Sequence, residues 1–488
     1  MTATKIVVID DDPTGSQTVH SCPLLLHWDV ATLREGLRHP SPLMFVLANT
    51  RALSPVDAAQ RNREILDALA AAMQAEGLPP EQLQLVSRGD STLRGHGVLE
   101  PQVLAEAWTT RFGQVDATLH VPAFLPGGRT TVDGVHLLHG EPVHTTAFAQ
   151  DRLFGYSTSD LAAWLEEKSA GAITAASVAR LGLSQLEAAA IARAGGDPAG
   201  FELLLSWLEG LEGNRPVVVD ATHPRQLEAL GAALDLLRHR KRFLFRSAAS
   251  LLNGLVDGGA QSLGPQPLTP EGLAGLRRRS EGAAMPGLVL VGSHVPLADQ
   301  QLQQLLAQPG CEGLELPVAR IARVLEGGHG DWLLPDLEWE WRTQLEQVMA
   351  RGLTPVLFTS RGELGFGEGE AAAVRRLRFG MALARLMARL VAGLAPQLGY
   401  VLSKGGITTG TLLAEGLGLA SVQLAGQLLP GLSLVRPLAA SVSGGTGEAC
   451  ADRGLTGLPV ITFPGNLGDA DTLTEAWRLM EAAGGCSA

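Results

Sequence analysis

Short apolar runs that end in polar or glycine residues recur along this chain, and helical patterns separate them. In the first half the runs are KIVVID, LMFVLANT, LQLVSRGDS, ATLHVPAF and PVVVDAT, and in the second half GLVLVGSH, TPVLFTS, GYVLSKGG and LPVITFPGN. Segments such as DAAQRNREILDALAAAMQ lie between them and have the spacing of an amphipathic helix. This alternation predicts strands that pair in a mostly parallel sheet covered by helices on both faces.

A chain of 488 residues is too long for one ordinary hydrophobic core. The stretch 258–286 is rich in glycine and proline and has no apolar rhythm, which predicts a linker. We therefore expect an α/β fold with two α/β domains, mostly parallel sheets and an interdomain cleft. The expected bounds are 1–257 for the first domain, 258–286 for the linker and 287–488 for the second domain.

Composition limits the partners that the chain can have. A net charge of -12 argues against nucleic acid, because such binding depends on neutralising phosphates. The longest apolar runs, such as Leu288–Val291, are far shorter than the ~20 residues that cross a bilayer, so we expect no membrane partner. Four scattered cysteines and an N-terminus without an apolar signal core fit a reducing compartment, and we expect a cytoplasmic location.

Three adjacent acids follow the first predicted strand. In open parallel sheets, ligands bind at the carboxyl ends of strands, so Asp10, Asp11 and Asp12 are placed where a ligand is expected. Carboxylates there can orient hydroxyl groups or accept a proton. The alternative is a solvated acidic turn closed by Pro13.

The segment SRGDSTLRGH, residues 87–96, has two arginines on either side of an acid and two hydroxyl side chains. Guanidinium groups match carboxylates in a bidentate geometry, and an acid beside them can bind a hydroxyl or act as a base. The alternative is a helix N-cap with surface arginines. The candidate residues of this segment are Arg88, Asp90, Ser91, Thr92 and Arg94.

A glycine-rich turn and several histidines follow in PAFLPGGRTTVDGVHLLHGEPVH. Gly128 allows a close backbone approach, Arg129 offers another anion partner, and His136 is a candidate substrate contact. We expect no metal site, because zinc ligands are closely paired on regular elements, whereas His136, His139 and His144 are scattered over a predicted hairpin.

The second half places glycines directly after several strands and before helices. Backbone amides at such junctions, aided by a lysine, can hold phosphate groups. No GxxxxGK[ST], GxGxxG or GxSxG motif occurs at these junctions, which argues against a P-loop, a dinucleotide fold and a hydrolase elbow. The candidate nucleotide-binding residues are Gly292, Ser293, Lys404, Gly405, Gly406, Gly444, Gly465 and Asn466.

In this order the motifs resemble those of the four-carbon acid sugar kinase family. The resemblance spans nearly the whole chain and includes the Asp-Asp-x-Thr-Gly loop, the Asp-Ser-Thr-Leu-Arg-Gly block and the Gly-Arg-Thr-Thr segment. It continues with SKGGITTG, GQLLPGL and FPGNLGD in the second half. These segments correspond to Asp11–Gly15, Asp90–Gly95, Gly128–Thr131, 403–410, 426–432 and 463–469.

The resemblance implies an N-terminal sugar-acid domain and a C-terminal ATP domain. The implied activity is an ATP-dependent kinase, with Mg²⁺ on the phosphates, that phosphorylates threonate, erythronate or a 3-oxo-tetronate at its terminal hydroxyl. Asp90, Asp12 and Asp11 are then the catalytic candidates, and Ser247 in FRSAASL resembles a serine that contacts nucleotide. Lys404 and the Phe463–Pro464 pair depart from the best-studied branch, which leaves the sugar acid open.

Two other functions are compatible with the same residues. A nucleotide-independent lyase or dehydratase could act on the same acids with its carboxylates and a metal. A non-catalytic sugar-acid sensor could bind the ligand between two lobes without chemistry. Turnover that requires ATP separates the kinase from both, and the sequence leaves a homo-oligomer open.

Overall fold

The computed structural model describes residues 4–12, 19–256, 267–326, 330–361, 370–438 and 454–485. The chain divides into two compact units, Met1–Gly264 (unit 1) and Pro265–Ala488 (unit 2). In both units the described residues form a sheet with helices packed against it. This agrees with the predicted α/β class of two mostly parallel units.

The main sheet of unit 1 is parallel throughout, in the order β2-β3-β1-β4-β11-β5-β10-β9. A separate antiparallel sheet contains β6, β7 and β8. The strands are β1 (Lys5–Asp10), β2 (Pro23–Leu25), β3 (Leu43–Leu47), β4 (Leu83–Arg88), β5 (Ala117–Val121), β6 (Arg129–Val132), β7 (Val135–Leu138), β8 (Glu141–Pro142), β9 (Ala179–Leu181), β10 (Arg215–Val219) and β11 (Phe243–Ser247).

Helices cover both faces of this sheet, as continuous apolar strands require. The α-helices are α1 (Val30–Arg38), α2 (Pro55–Glu76), α3 (Leu99–Phe112), α4 (Leu161–Lys168), α5 (Leu183–Arg193), α6 (Ala199–Glu209), α7 (Pro224–Leu237) and α8 (Ser250–Val256). Short 3₁₀ turns lie at Thr50–Ala52, Pro80–Gln82, Leu125–Gly127, Val143–Thr145, Ala147–Gln150 and Ala175–Ser177.

Local sequence signals explain where α2 begins and ends. Ser54 caps its first turn by accepting a hydrogen bond from the backbone N–H of Asp57, and Pro55 occupies the first helical position. Gly77 ends the helix with φ of 63°, a left-handed conformation that glycine adopts without strain. The buried face of α2, which includes Ile65 and Leu69, packs into the core beneath β1 and β3.

Unit 1 has a topological switch point between β1 and β4. After β1 the chain continues to β2 and β3 on one side of β1, whereas β4 lies on the other side and leads towards β5 and β11. Connections that diverge in this way leave a crevice at the carboxyl ends of the two strands. Asp10 ends β1 and Arg88 ends β4, so the predicted acid and arginine motifs meet there.

Unit 2 contains a second sheet in the order β15-β16-β14-β17-β20-β19-β18. The first five strands are parallel, and β19 and β18 add to them as an antiparallel hairpin. Its switch point lies between β14 and β17. The strands are β12 (Arg279–Ser280), β13 (Ala283–Ala284), β14 (Gly287–Val291), β15 (Cys311–Leu316), β16 (Thr354–Thr359), β17 (Tyr400–Lys404), β18 (Ser421–Leu429), β19 (Leu432–Pro437) and β20 (Val460–Phe463), with β12 and β13 forming a separate hairpin.

The helices of unit 2 pack around this sheet. They are α9 (Pro270–Leu276), α10 (Pro296–Leu306), α11 (Val318–Glu326), α12 (Gly330–Ala350), α13 (Glu370–Leu394), α14 (Gly406–Thr411) and α15 (Thr472–Ala482). A π-helical turn, Leu412–Gly416, continues α14, and a 3₁₀ turn occupies Ala395–Gln397.

The predicted linker is partly wrong. Of residues 258–286, those after 266 form α9 and the β12–β13 hairpin and belong to unit 2. Leu273 lies in the unit-2 core, and the buried Arg277 donates to Glu481 and to the carbonyl of Met480. Pro270 occupies the first turn of α9, so part of the proline content that predicts a linker belongs to a helix N-terminus.

Helix α13 is the exception to the expectation that no segment is long and apolar enough to cross a membrane. The stretch Arg378–Gln397 satisfies that test by length and composition, with a mean hydropathy of 1.3. Half of it is buried in unit 2, where Met387 and Val391 face the interior. Arg385 and Arg389 on its other side form ion pairs with acids of the same unit. This two-sided pattern is that of a helix packed on a protein core.

Candidate active site

The acids at the end of β1 are paired with one arginine that follows β3 and one that ends β4. Arg51, which follows β3, donates to both acids, with Nη2 2.6 Å from Asp11 Oδ1 and Nη1 3.0 Å from Asp12 Oδ2. Arg88 Nη1 lies 3.3 Å from Asp10 Oδ1. Asp10 and Asp11 are each only 1% exposed, so the alternative of a solvated acidic turn is wrong for these two residues.

Burial is the main cause of the unusual pKa of Asp10. Removal of the carboxyl from water raises its pKa to about 7, and the charges of Asp11 and Asp12 add to this, while Arg88 opposes it. Asp10 was not among the predicted catalytic residues. Its hydrogen bonds with Arg88 and with the backbone N–H of Asp12 indicate that it holds the acid loop in place.

The block after β4 forms a tight turn around Asp90. Arg94 Nε donates to Asp90 Oδ2 over 2.7 Å, and the hydroxyl of Thr92 donates to the same oxygen. Burial acts to raise the pKa of Asp90, but the charges of Arg51 and Arg94 outweigh it and hold that pKa well below its usual range. Asp90 is therefore an anion whose Oδ1 accepts no hydrogen bond from the residues that the structure describes.

Two further charged residues, which the sequence did not single out, lie behind this block. Arg246 near the end of β11 donates to Glu100 over 2.6 Å and to the hydroxyl of Ser87 over 2.8 Å. Arg246 is 7% exposed and Glu100 2%. Arg246 precedes the predicted Ser247, but only the order of the strands shows that β11 lies beside β4.

A small cavity lies beside Asp90, Arg94 and Arg246. It is lined on its polar side by Gly89, Asp90, Arg94, Arg246 and Ser247. Ser247 therefore lies in unit 1 with the predicted sugar-acid residues, although it was predicted to contact nucleotide. Its carbonyl accepts from the N–H of Gly89, which joins the ends of β4 and β11.

Arg129 differs from the other arginines of this region because it forms no ion pair with the residues that the structure describes. Its guanidinium lies 5.6 Å from the centroid of the Phe124 ring and donates to the carbonyl of Gly127. Its Nε is buried without a hydrogen-bond partner among the same residues. Gly128, at φ of 71°, makes the turn that starts β6 at Arg129.

The structure gives His136 a different position from the one predicted. It is 0% exposed, and both ring nitrogens have partners, with Nε2 2.8 Å from the carbonyl oxygen of Ser91 and Nδ1 3.0 Å from the hydroxyl of Thr131. Burial lowers the pKa of His136 to about 4, so the ring is neutral. His136 therefore stabilises the turn around Asp90 through its contact with the Ser91 carbonyl. Among the described residues, no group of three or more His, Cys, Asp or Glu side chains is placed to hold a metal ion.

In unit 2 the predicted glycine junctions lie at the carboxyl edge of the sheet. The N–H of Gly405 donates to the carbonyl of Phe463, and the N–H of Gly292 donates to that of Lys404. A Cβ on Gly292 would lie 1.9 Å from the Thr408 hydroxyl oxygen, and one on Gly465 would lie 2.7 Å from that of Ser293. These residues need glycine because the loops pack directly on one another.

The remaining predicted residues of unit 2 differ in exposure. Gly406 is half-buried at the start of α14, and Asn466 is exposed. Lys404 is fully buried, and its ammonium group donates to the carbonyls of Pro464 and Gly465 at 3.1 Å each. Lys404 therefore supports the loop rather than facing solvent. Gly444 lies outside the residues that the structure describes.

An apolar cavity of about 380 Å³ lies beside these loops. Its floor is at the ends of β14 and β16, where Gly292, His294 and Thr359 lie, and its wall is α13. The apolar side chains along it are Met381, Leu383, Met387 and Ile407. His294 Nε2 is 2.9 Å from the Thr359 hydroxyl oxygen, which fixes the ring at the base of the cavity. A mostly apolar lining with a few polar groups is typical of small-molecule sites.

Both halves of the chain match known domain families. Residues 6–255 match the family described as a sugar-binding N-terminal domain, and residues 288–473 match the nucleotide-binding C-terminal domain. A D-erythronate kinase of Heliobacterium modesticaldum is 26% identical over 310 residues, which cover 61% of this chain. The match spans 60% of that kinase's own length.

Two solved structures share the fold. A Salmonella typhimurium LT2 protein, solved under a tRNA-synthase name, has a TM-score of 0.63 at 18% identity, with 97% of this chain and 98% of that chain covered. The Haemophilus influenzae protein HI1011 has a TM-score of 0.60 at 14% identity, with coverages of 97% and 100%. With both domain families matched in order, the chain belongs to the four-carbon acid sugar kinase family.

Proposed function

We propose that this protein transfers the γ-phosphoryl group of ATP to the terminal hydroxyl of a four-carbon sugar acid of the threonate, erythronate or 3-oxo-tetronate type. The observation that carries the proposal is the cluster of buried acids and arginines at the switch point of unit 1. Such a cluster suits a ligand that has both an anionic group and several hydroxyls. The family relationship and the kinase relative support phosphoryl transfer as the reaction.

Arg129 is the best candidate for the substrate carboxylate. Arg88 and Arg94 are already paired with Asp10 and Asp90, so a second carboxylate would have to compete for them. Arg129 has no carboxylate partner among the described residues and carries an unused buried Nε–H. The bidentate geometry of a guanidinium group favours a carboxylate over a single hydroxyl at such a position.

Asp90 is the best candidate for the group that orients the attacking hydroxyl. It lines the cavity, it is ionised, and its Oδ1 is available as an acceptor. Phosphoryl transfer depends more on positioning and charge neutralisation than on a strong base, so a carboxylate with a low pKa suits this role. Asp11 and Asp12, which Arg51 holds, would bind neighbouring hydroxyls.

The apolar cavity of unit 2 would bind the base of the nucleotide, and the glycine loops beside it would bind the phosphates. Backbone N–H groups in such turns bind phosphate without a side-chain charge. Lys404 acts below the loop in this arrangement because its ammonium group is already engaged with two carbonyls. Mg²⁺ would be held mainly by phosphate oxygens and water, as is common for this ion.

A nucleotide-release screen tests the proposal. The purified chain would be incubated with Mg²⁺ and ATP, GTP or CTP, together with D- and L-threonate, D- and L-erythronate and their 3-oxo forms, and release of nucleoside diphosphate would be measured. We expect one acid to stimulate ADP release, and phosphate to be found on its terminal carbon by NMR. Conversion of an acid without nucleotide would support the lyase alternative and contradict the kinase.

A further inference from the structure

Arg246 Nη2 and Asp11 Oδ2 face each other at 3.9 Å, beyond hydrogen-bond distance. The Nη1 side of this guanidinium is engaged with Glu100 and Ser87. Its Nη2 side makes no hydrogen bond to any other residue that the structure describes, and Arg246 lines the cavity that also contains Asp90. A buried guanidinium group, whose Nη2 has no hydrogen-bond partner among the described residues, therefore lies opposite a buried carboxylate.

Two glycines let this pair lie close to the backbone. A Cβ on Gly89 would lie 2.1 Å from Arg246 Nη2. A Cβ on Gly95 would lie 3.0 Å from Asp11 Oδ2 and 3.9 Å from Arg246 Nη2. Gly95 has φ of 93°, a conformation that other residues rarely adopt. The backbone of Gly95 borders the gap between the two charged groups, and so does the side chain of Arg51, whose Nε lies 3.3 Å from Asp11 Oδ2.

The chemistry of the two groups restricts what can fill the gap. A guanidinium only donates hydrogen bonds and an ionised carboxylate only accepts them. An oxygen atom placed about 2.8 Å from each fits between groups 3.9 Å apart. It must accept from Arg246 and donate to Asp11, which a hydroxyl or a water molecule does and a carboxylate or phosphate oxygen does not.

We propose that Arg246 and Asp11 together bind one secondary hydroxyl of the sugar acid, and that Glu100 is a positioning residue that holds Arg246 for this contact. The proposal rests on the function proposed above and adds a specificity-determining residue to it. A site built to hydrogen-bond a hydroxyl rejects the analogue that lacks it, because both buried partners then stay unsatisfied. The pair would therefore select acids with a hydroxyl at one particular carbon.

The test compares the preferred sugar acid with its 2-deoxy and 3-deoxy analogues in the wild type and in two variants. Arg246→Lys keeps the positive charge beside Glu100 but removes the Nη2 donor that faces Asp11. The double variant Arg246→Met/Glu100→Met removes both partners of the buried ion pair, so that neither charge is left alone in the core. Circular dichroism and the thermal midpoint show which variants are folded.

In the wild type we expect kcat/KM for one deoxy analogue to be about 10- to 100-fold below that of the full acid, the range of a charged hydrogen bond. In the folded variants this ratio should fall towards one. A variant that lowers kcat/KM for all three acids equally, with the wild-type ratio kept, would show that Arg246 is purely structural and would overturn the proposal.

Failure of this proposal can be separated from failure of the kinase. If the wild type releases no nucleoside diphosphate with any acid, the kinase function fails. The affinities for the full acid and for its deoxy analogues are then compared as dissociation constants, measured by calorimetry without nucleotide. The expected loss of discrimination in the variants is unchanged. Equal affinities of the wild type for the full acid and both deoxy analogues, or no binding of any of them, would overturn the hydroxyl site.

Discussion

Lys404 and Phe463 are direct neighbours on the parallel strands β17 and β20, and the Lys404 ammonium nitrogen lies 3.8 Å from the centroid of the Phe463 ring. The same nitrogen donates to the carbonyls of Pro464 and Gly465, so one buried lysine fixes the turn after β20. Burial lowers the pKa of Lys404 to about 7, whereas the ring and the two carbonyls favour its charged form.

This environment predicts a pH-dependent contribution of Lys404 to stability. Between the folded pKa of about 7 and the ordinary value of 10.5, the unfolded chain binds a proton that the folded chain does not. Stability relative to Lys404→Met should therefore rise as the pH increases through this range. Urea unfolding of both proteins from pH 6.5 to 9.5 measures the difference.

The buried Lys5 has a lowered pKa as well, but it is present in both proteins and cancels in this comparison. A difference that stays constant across the range would mean that the ring and carbonyls keep Lys404 charged throughout. In that case the lysine holds the turn as a cation, and the loop should be insensitive to pH.

Asp90→Asn should reduce turnover by about 10²- to 10⁴-fold, the range for loss of a group that positions or accepts a proton. The substitution keeps the shape of the side chain but removes the charge that Arg51 and Arg94 stabilise. Nucleotide binding, measured by calorimetry, should be unchanged because Asp90 lies in unit 1. Near-normal turnover in the folded variant would remove Asp90 from the mechanism.

Arg129→Met should raise the KM for the sugar acid by about 10- to 100-fold, since an Arg–carboxylate pair is a charge-assisted interaction. The effect on kcat should be smaller, because the carboxylate lies away from the terminal hydroxyl. Arg240→Met is a matched control, as Arg240 forms an exposed ion pair with Glu209. If both variants behave alike, Arg129 does not bind the carboxylate and Arg88 or Arg94 must be tested instead.

Local sequence patterns predicted nine of the strands, because burial of apolar runs and the position of glycines are local properties. These are β1, β3, β4, β5, β10, β14, β16, β17 and β20. Partners such as Arg51 and Arg246 could not be predicted. Arg51 follows β3 and Arg246 lies in β11, and both strands join the site only through the order of the strands. The sequence also did not predict where the Lys404 side chain points, for a related reason. Its partners are backbone carbonyls of a loop that follows a different strand.

The segment before β14 should contribute to the stability of unit 2. Arg277 is buried, and its guanidinium donates to Glu481, to Met480 O and to Met285 O. Arg277→Met leaves Glu481 with an uncompensated charge and should cost about 3 to 5 kcal/mol of unfolding free energy. Calorimetry of the full chain should show a lowered thermal transition.

Arg279→Met serves as the control for Arg277→Met, because Arg279 is exposed and donates to backbone carbonyls only. Its effect should stay within about 0.5 kcal/mol. Equal, small effects of the two substitutions would mean that α9 and the β12–β13 hairpin are dispensable, as a true linker would be.

Gly292→Ala should weaken nucleotide binding. The new methyl group would lie 1.9 Å from the hydroxyl oxygen of Thr408 and 2.9 Å from its Cβ, so α14 must move away from the end of β14. We expect a KM for nucleotide raised by at least about tenfold, as a shift of about 1 Å in the loop proposed to bind the phosphates is costly. Gly275→Ala is the control, since nothing lies within 4 Å of its added Cβ. Sugar-acid affinity without nucleotide should be unchanged in both variants, and an unaltered nucleotide KM in Gly292→Ala would place the phosphates away from this junction.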